Sequence, residues 1–156
     1  MKRAKPLILI TLLTISLNAL GADSYQAPIG DKSDLGFIAG TQAVSTTSKA
    51  EPVYVIAVDG QIVENGETNW SKELALSPGK HWIAIALKGV YQEFPVDVCA
   101  GCTFRANAEF SEVKKTFVKL MNSELWITQE PTGSLVSEKQ PGKPIPVKAT
   151  IIFTRY

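Results

Sequence analysis

Leu76-Ser77-Pro78-Gly79-Lys80-His81-Trp82-Ile83-Ala84-Ile85-Ala86-Leu87-Lys88-Gly89-Val90-Tyr91-Gln92-Glu93-Phe94-Pro95-Val96-Asp97-Val98-Cys99-Ala100-Gly101-Cys102 contains the only histidine and both cysteines of the chain. Pro78-Gly79 is a turn, with proline fixing φ at one central position and glycine free to take φ > 0 at the next. From His81 to Lys88 both parities are apolar, with Trp82, Ala84 and Ala86 on one side and Ile83, Ile85 and Leu87 on the other. Such a run predicts a central strand covered on both faces. Gly89 ends it. Tyr91 to Val98 then alternates Phe94, Val96 and Val98 against Glu93, Pro95 and Asp97. Pro95 has no N–H to donate, which predicts an edge position or a bulge. Cys99-Ala100-Gly101-Cys102 is the next turn, and Thr103 to Phe110 the return strand, with Phe104, Ala106, Ala108 and Phe110 on one face.

Upstream, Val53 to Asp59 is a β-branched run stopped by Gly60, and Asn65-Gly66 is a hairpin-type turn. Asn69 to Leu76 alternates again, placing Trp70 with Leu74 and Leu76 on a core-facing side. Downstream, Ser111 to Ser123 is ambiguous. Val113, Phe117, Leu120 and Met121 fall at helical spacing and predict a short helix, although Thr116-Phe117-Val118 also suits a strand. Leu125 to Gln129 reads as a strand ended by Pro131-Thr132-Gly133, and Ser137 to Pro146 as a loop. Val147 to Tyr156 alternates well enough to predict a last strand built into the sheet. Seven to nine short strands separated by turns imply an all-β antiparallel sandwich, immunoglobulin-like or transthyretin-like, over residues 53–156. Residues 23–52 are polar and small, and predict a flexible lead-in with one edge strand at Leu35-Gly36-Phe37-Ile38-Ala39.

The first 22 residues have a different character. Lys2, Arg3 and Lys5 precede an uncharged, mostly apolar run from Leu7 to Leu17, followed by Ala19-Leu20-Gly21-Ala22. That order is a cleavable secretory signal peptide, and the run is well short of the roughly 20 residues a membrane span needs. Export to the periplasm or the medium is expected, with no span after cleavage. Three of the 16 Lys and Arg residues lie in this leader; without them 13 face 15 acidic residues. No basic surplus remains to neutralise phosphates, so nucleic acid is not an expected partner.

In an oxidising compartment a close cysteine pair is expected to be bridged. Redox enzymes using Cys-x-x-Cys place the first cysteine at a helix N-terminus, which stabilises its thiolate. Here strand-like runs flank Cys99 and Cys102, so the pair reads as a disulfide pinning a turn. A periplasmic thiol–disulfide protein using the same pair is the alternative. One histidine and two cysteines fall short of a zinc site, and neither metal nor cofactor is expected. His81 suits a turn histidine bonded to backbone; its capacity to change charge would also suit a pH sensor or general base, and it is kept as a candidate binding residue. No nucleophile motif accompanies it, and the carboxylates look singly spread, so no catalytic residues are assigned. Among the aromatics, Trp70 and Trp82 fall in core patterns, leaving Tyr91 and Trp126 as the exposed candidates for binding.

Asp59-Gly60, Leu76-Ser77-Pro78-Gly79-Lys80-His81-Trp82-Ile83-Ala84-Ile85, Lys88-Gly89-Val90-Tyr91, Val96-Asp97-Val98 and Thr103 resemble the PEGA-like modules of bacterial envelope proteins. The resemblance covers Val53 to Phe110 and departs from those modules at the Cys99–Cys102 turn. It implies a non-catalytic accessory role at the cell envelope, contacting a protein or glycan, and supplies no active-site residues. The oligomeric state is not encoded in any of these patterns.

Overall fold

The computed structural model describes residues 23–47, 49–115 and 118–145. The strands in chain order are β1 (Gly36–Gly40), β2 (Gln42–Ser45), β3 (Glu51–Pro52), β4 (Tyr54–Val58), β5 (Gln61–Ile62), β6 (Leu74–Leu76), β7 (Gly79–Leu87), β8 (Val90–Val98), β9 (Thr103–Lys115), β10 (Val118–Glu130), β11 (Ser134–Leu135), β12 (Gln140–Pro141) and β13 (Lys143–Pro144). They form two sheets. One runs β13-β8-β7-β4-β5, and the other β11-β10-β9-β1-β6, with β2 against β9, β3 against β2 and β12 against β10. The protein is an all-β sandwich. The leader and the closing strand expected over Val147 to Tyr156 lie outside the described residues.

The core lies between the sheets. Ile83, Ile85 and Leu87 of β7, Phe94, Val96 and Val98 of β8, and Val55 and Val58 of β4 belong to one cluster with Ile38 of β1, Phe104, Ala106, Ala108 and Phe110 of β9, and Leu125 and Ile127 of β10. These are the inward parities of alternating strands, and each large side chain so buried contributes roughly 1.5–3 kcal/mol. β7 is central, as its sequence predicts, and Ile83 through Leu87 are all buried. β8 is bordered by β13 only at Val90 and Tyr91. Pro95 pairs with Trp82, whose N–H and C=O both bond to Asp59 on the other side. Its missing donor therefore costs β7 no ladder bond.

Two expectations are corrected. Among the described residues of 111–115 and 118–123 there is no helix: β9 and β10 pair from Thr103↔Glu130 to Lys115↔Val118. Extending a pairing already in register outweighs the local helical spacing of a few apolar residues. Residues 23–52 are not a lead-in with an edge strand either. β1 lies inside its sheet, parallel to β9 and antiparallel to β6, and Leu35, Ile38, Ala39 and Ala43 are buried. This parallel pairing joins segments more than sixty residues apart, and no local pattern announces it.

The tight turns follow glycine chemistry. Asp59 (φ 51°) and Gly60 (φ 78°) join β4 to β5, while Lys88 (φ 46°) and Gly89 (φ 82°) join β7 to β8. Two consecutive positive φ values match the twist of the flanking strands. Lys88 Nζ lies 2.9 Å from Glu51 and 3.0 Å from Glu112, tying the β7–β8 turn to the opposite sheet.

The chain passes between the sheets at the cysteine turn. Cys99 and Cys102 are joined as a disulfide, with Cα atoms 5.3 Å apart. Gly101 N–H bonds to Leu35 O and Phe37 N–H to Cys102 O, so this corner also seats the start of β1. A loop this short constrains the unfolded chain little, about 2 kcal/mol on the chain-entropy model. Replacing both cysteines by serine is expected to lower the urea-unfolding free energy by no more than that. A loss several times larger would show that the bond organises the corner in the native state.

Candidate functional site

The register of β4, β7 and β8 determines what the outer face of the five-stranded sheet displays. Tyr54, Ala86 and Tyr91 are cross-strand neighbours in one row; Ile62, Ala57, Ala84 and Glu93 form the next; Trp82 and Pro95 pair in the third. Directly opposite residues on antiparallel strands share a face, so these three rows make one surface. A bulge between Val55 and Ala57 keeps Ala57 and Tyr54 on this side. Trp82 is 58% exposed, whereas Ala84 and Ala86 are buried at its foot. The face thus carries one exposed aromatic, Trp82, with the half-buried Tyr54 and Tyr91 beside the buried alanines. In the neighbouring row Lys80 stands opposite Asp97, placing residues of opposite charge at that border.

Trp82 is held from below. Its backbone N–H donates to Asp59 Oδ1 at 2.8 Å, and its carbonyl accepts from Asp59 N–H at 2.8 Å. Asp59 Oδ2 lies 2.7 Å from His81 Nδ1, and the other ring nitrogen lies 2.8 Å from Ser77 O and 3.3 Å from Ser77 Oγ. Asp59, His81 and Ser77 thus form a connected clamp around the start of β7. The sequence gives no local sign of it, because Asp59 reaches His81 from another turn. Its composition matches a nucleophilic triad, but its geometry does not. Nε2 has the Ser77 carbonyl as its nearest partner, where only an N–H is favourable, so it offers no lone pair to the hydroxyl. The His81 side chain is 11% exposed, so it supports the face rather than forming part of it.

Burial acts to raise the Asp59 pKa, but the Trp82 N–H and the hydrogen bond and charge of His81 outweigh it and hold the carboxyl below its usual value. A depressed carboxylate stabilises the fold above its unfolded pKa, near 4, and loses that contribution as pH falls through the folded value. The side chain is 47% exposed, so solvent screening keeps the effect small. Below about pH 4 wild type is expected to lose stability more steeply than Asp59→Asn, as read from urea midpoints. Equal slopes would remove the clamp from the account.

Tyr91 lies on this face, but Trp126 does not. Trp126 belongs to β10 in the other sheet, is half-buried, and has Lys139 Nζ 4.3 Å from its ring centroid. Trp70 is half-buried beside a cavity of about 220 Å³ lined by Ile38, Val55, Val63 and Leu74. Trp82, assigned to a core pattern, is exposed, whereas Ala84 and Ala86, of the same parity on β7, are buried. The singly spread carboxylates are also corrected: Glu109 and Glu124 stand opposite each other on β9 and β10. Lys139, and then a hydrogen bond with Glu124, hold the Glu109 carboxyl below its ordinary value.

Comparison with protein-family models, curated protein sequences and solved structures finds no match to this chain.

Proposed function

We propose that the protein is an exported, non-enzymatic binding module of the bacterial cell envelope that stacks a glycan on the outer face of its five-stranded sheet. The leader pattern and the PEGA-like stretch from Val53 to Phe110 support the setting. The observation that carries the ligand class is Trp82, exposed above buried alanines on a face shared with Tyr54 and Tyr91. The apolar face of a sugar ring stacks on an aromatic ring, and amphipathic aromatics supply large contact area at little entropic cost. Lys80 and Asp97 at the border offer hydrogen bonds to hydroxyls without strong net charge.

Co-sedimentation with insoluble peptidoglycan and with neutral polysaccharides tests this, with intrinsic tryptophan fluorescence following soluble oligosaccharides. Retention with a change in tryptophan emission is the expected result. A protein crosslinked at this face, with no glycan retained, would assign the surface to a protein partner and overturn the glycan assignment.

A further inference from the structure

We propose that the Cys99–Cys102 disulfide is an exchange site of fixed polarity: an external thiolate attacks Sγ of Cys99, and Cys102 departs as a thiolate received by the side-chain amide of Gln129. The two sulfurs differ in their surroundings. Cys99 is exposed, whereas Cys102 is half-buried and packs against the core. A nucleophile must approach a sulfur along the S–S axis, so access selects the sulfur attacked. Cys99, the exposed residue of the two, is the more open to that approach.

The leaving sulfur already has its donor. Gln129 Nε2 lies 3.3 Å from Cys102 Sγ and 3.7 Å from Cys99 Sγ. Gln129 stands near the end of β10 opposite Phe104 of β9, and that register carries its amide to the corner. The backbone N–H groups of Gly101 and Cys102 are committed to Leu35 O and Cys99 O, so they do not compete for the sulfur. Hydrogen bonding to a charged form favours that form, and a better-stabilised leaving thiolate leaves faster. The role that a helix N-terminus plays in Cys-x-x-Cys enzymes falls here to one neutral amide.

The step balances as an exchange. The S–S bond between Cys99 and Cys102 breaks while a bond forms between the external sulfur and Cys99. The electron pair of the broken bond stays on Cys102. A second thiolate attacking the external sulfur completes a two-electron reduction, releasing the Cys99 thiolate and an external disulfide. The co-reactant is a small thiol such as glutathione or a dithiol protein. This chemistry does not depend on glycan binding, and a glycan titration leaves it untouched.

The test treats folded, oxidised protein with glutathione, quenches with acid, alkylates, and locates the adduct by tandem mass spectrometry. Glutathione on Cys99 with alkylated Cys102 is expected. Gln129→Leu should slow exchange about tenfold or more, the scale of one lost hydrogen bond to a charge. It should also move the alkylation pH profile of Cys102 upward, a change that a purely structural glutamine would not cause. Gln129→Met is the second variant should the first fail to fold. An adduct on Cys102, no adduct before global unfolding, or wild-type exchange in a folded Gln129 variant would each overturn the proposal.

Discussion

Trp82→Ala is expected to weaken glycan binding by at least about tenfold while leaving the melting temperature within a few degrees of wild type. Trp82 is 58% exposed, so truncation opens no cavity in the core, and the backbone hydrogen bonds to Asp59 survive the change. What is lost is the largest flat apolar surface on that face. Stacking on an aromatic ring is worth about 1–3 kcal/mol in the comparable case of nucleobases, and one tenfold step is about 1.4 kcal/mol. Trp126→Ala serves as the control, because that residue lies on the other sheet with a lysine over its ring. Equal losses in both variants would mean that neither is the platform. Unchanged binding in Trp82→Ala, measured by calorimetry, would remove the site.

Gly40→Ala is expected to destabilise the fold by about 3 kcal/mol, lowering the melting temperature by roughly 10 °C. Gly40 closes β1 where three segments converge. A Cβ there would overlap the Val53 carbonyl oxygen and lie 2.8 Å from that of Trp70. Both obstacles are backbone, so no rotamer change relieves them. The Gly40 N–H also donates to Trp70 O at 2.7 Å, and any shift that makes room for the methyl group strains this bond. Since β1 is flanked by β6 and β9, the displacement would spread into both neighbours. A urea midpoint equal to wild type would show that the β1–β3 region has slack the packing does not suggest.

Much of this architecture is legible in the sequence where neighbours decide it. The doubly apolar run of β7, the alternation of β8 and β9, and the Asp59-Gly60 and Lys88-Gly89 turns are all fixed by residues a few positions apart. What sequence periodicity misses is decided by distant partners. β1 is interior because β9 lies beside it, and residues 111–115 and 118–123 extend because they continue a pairing already in register. The site follows the same division. Tyr91 shares this face but is half-buried, and the exposure of Trp82 is not legible in the sequence, since its parity on β7 matches that of the buried Ala84 and Ala86. Asp59 and Gln129 gain their roles from contacts 22 and 27 residues away, at His81 and Cys102. No pattern local to either residue signals those contacts.

The most direct measurement is amide chemical-shift mapping by NMR on adding soluble peptidoglycan fragments and, separately, a neutral oligosaccharide. The account predicts shifts clustered at Tyr54 to Asp59, Trp82 to Ala86 and Tyr91 to Glu93, with the indole N–H of Trp82 among the largest. Shifts centred on Trp126 and the outer face of β10, or none with either ligand at saturating concentration, would contradict it.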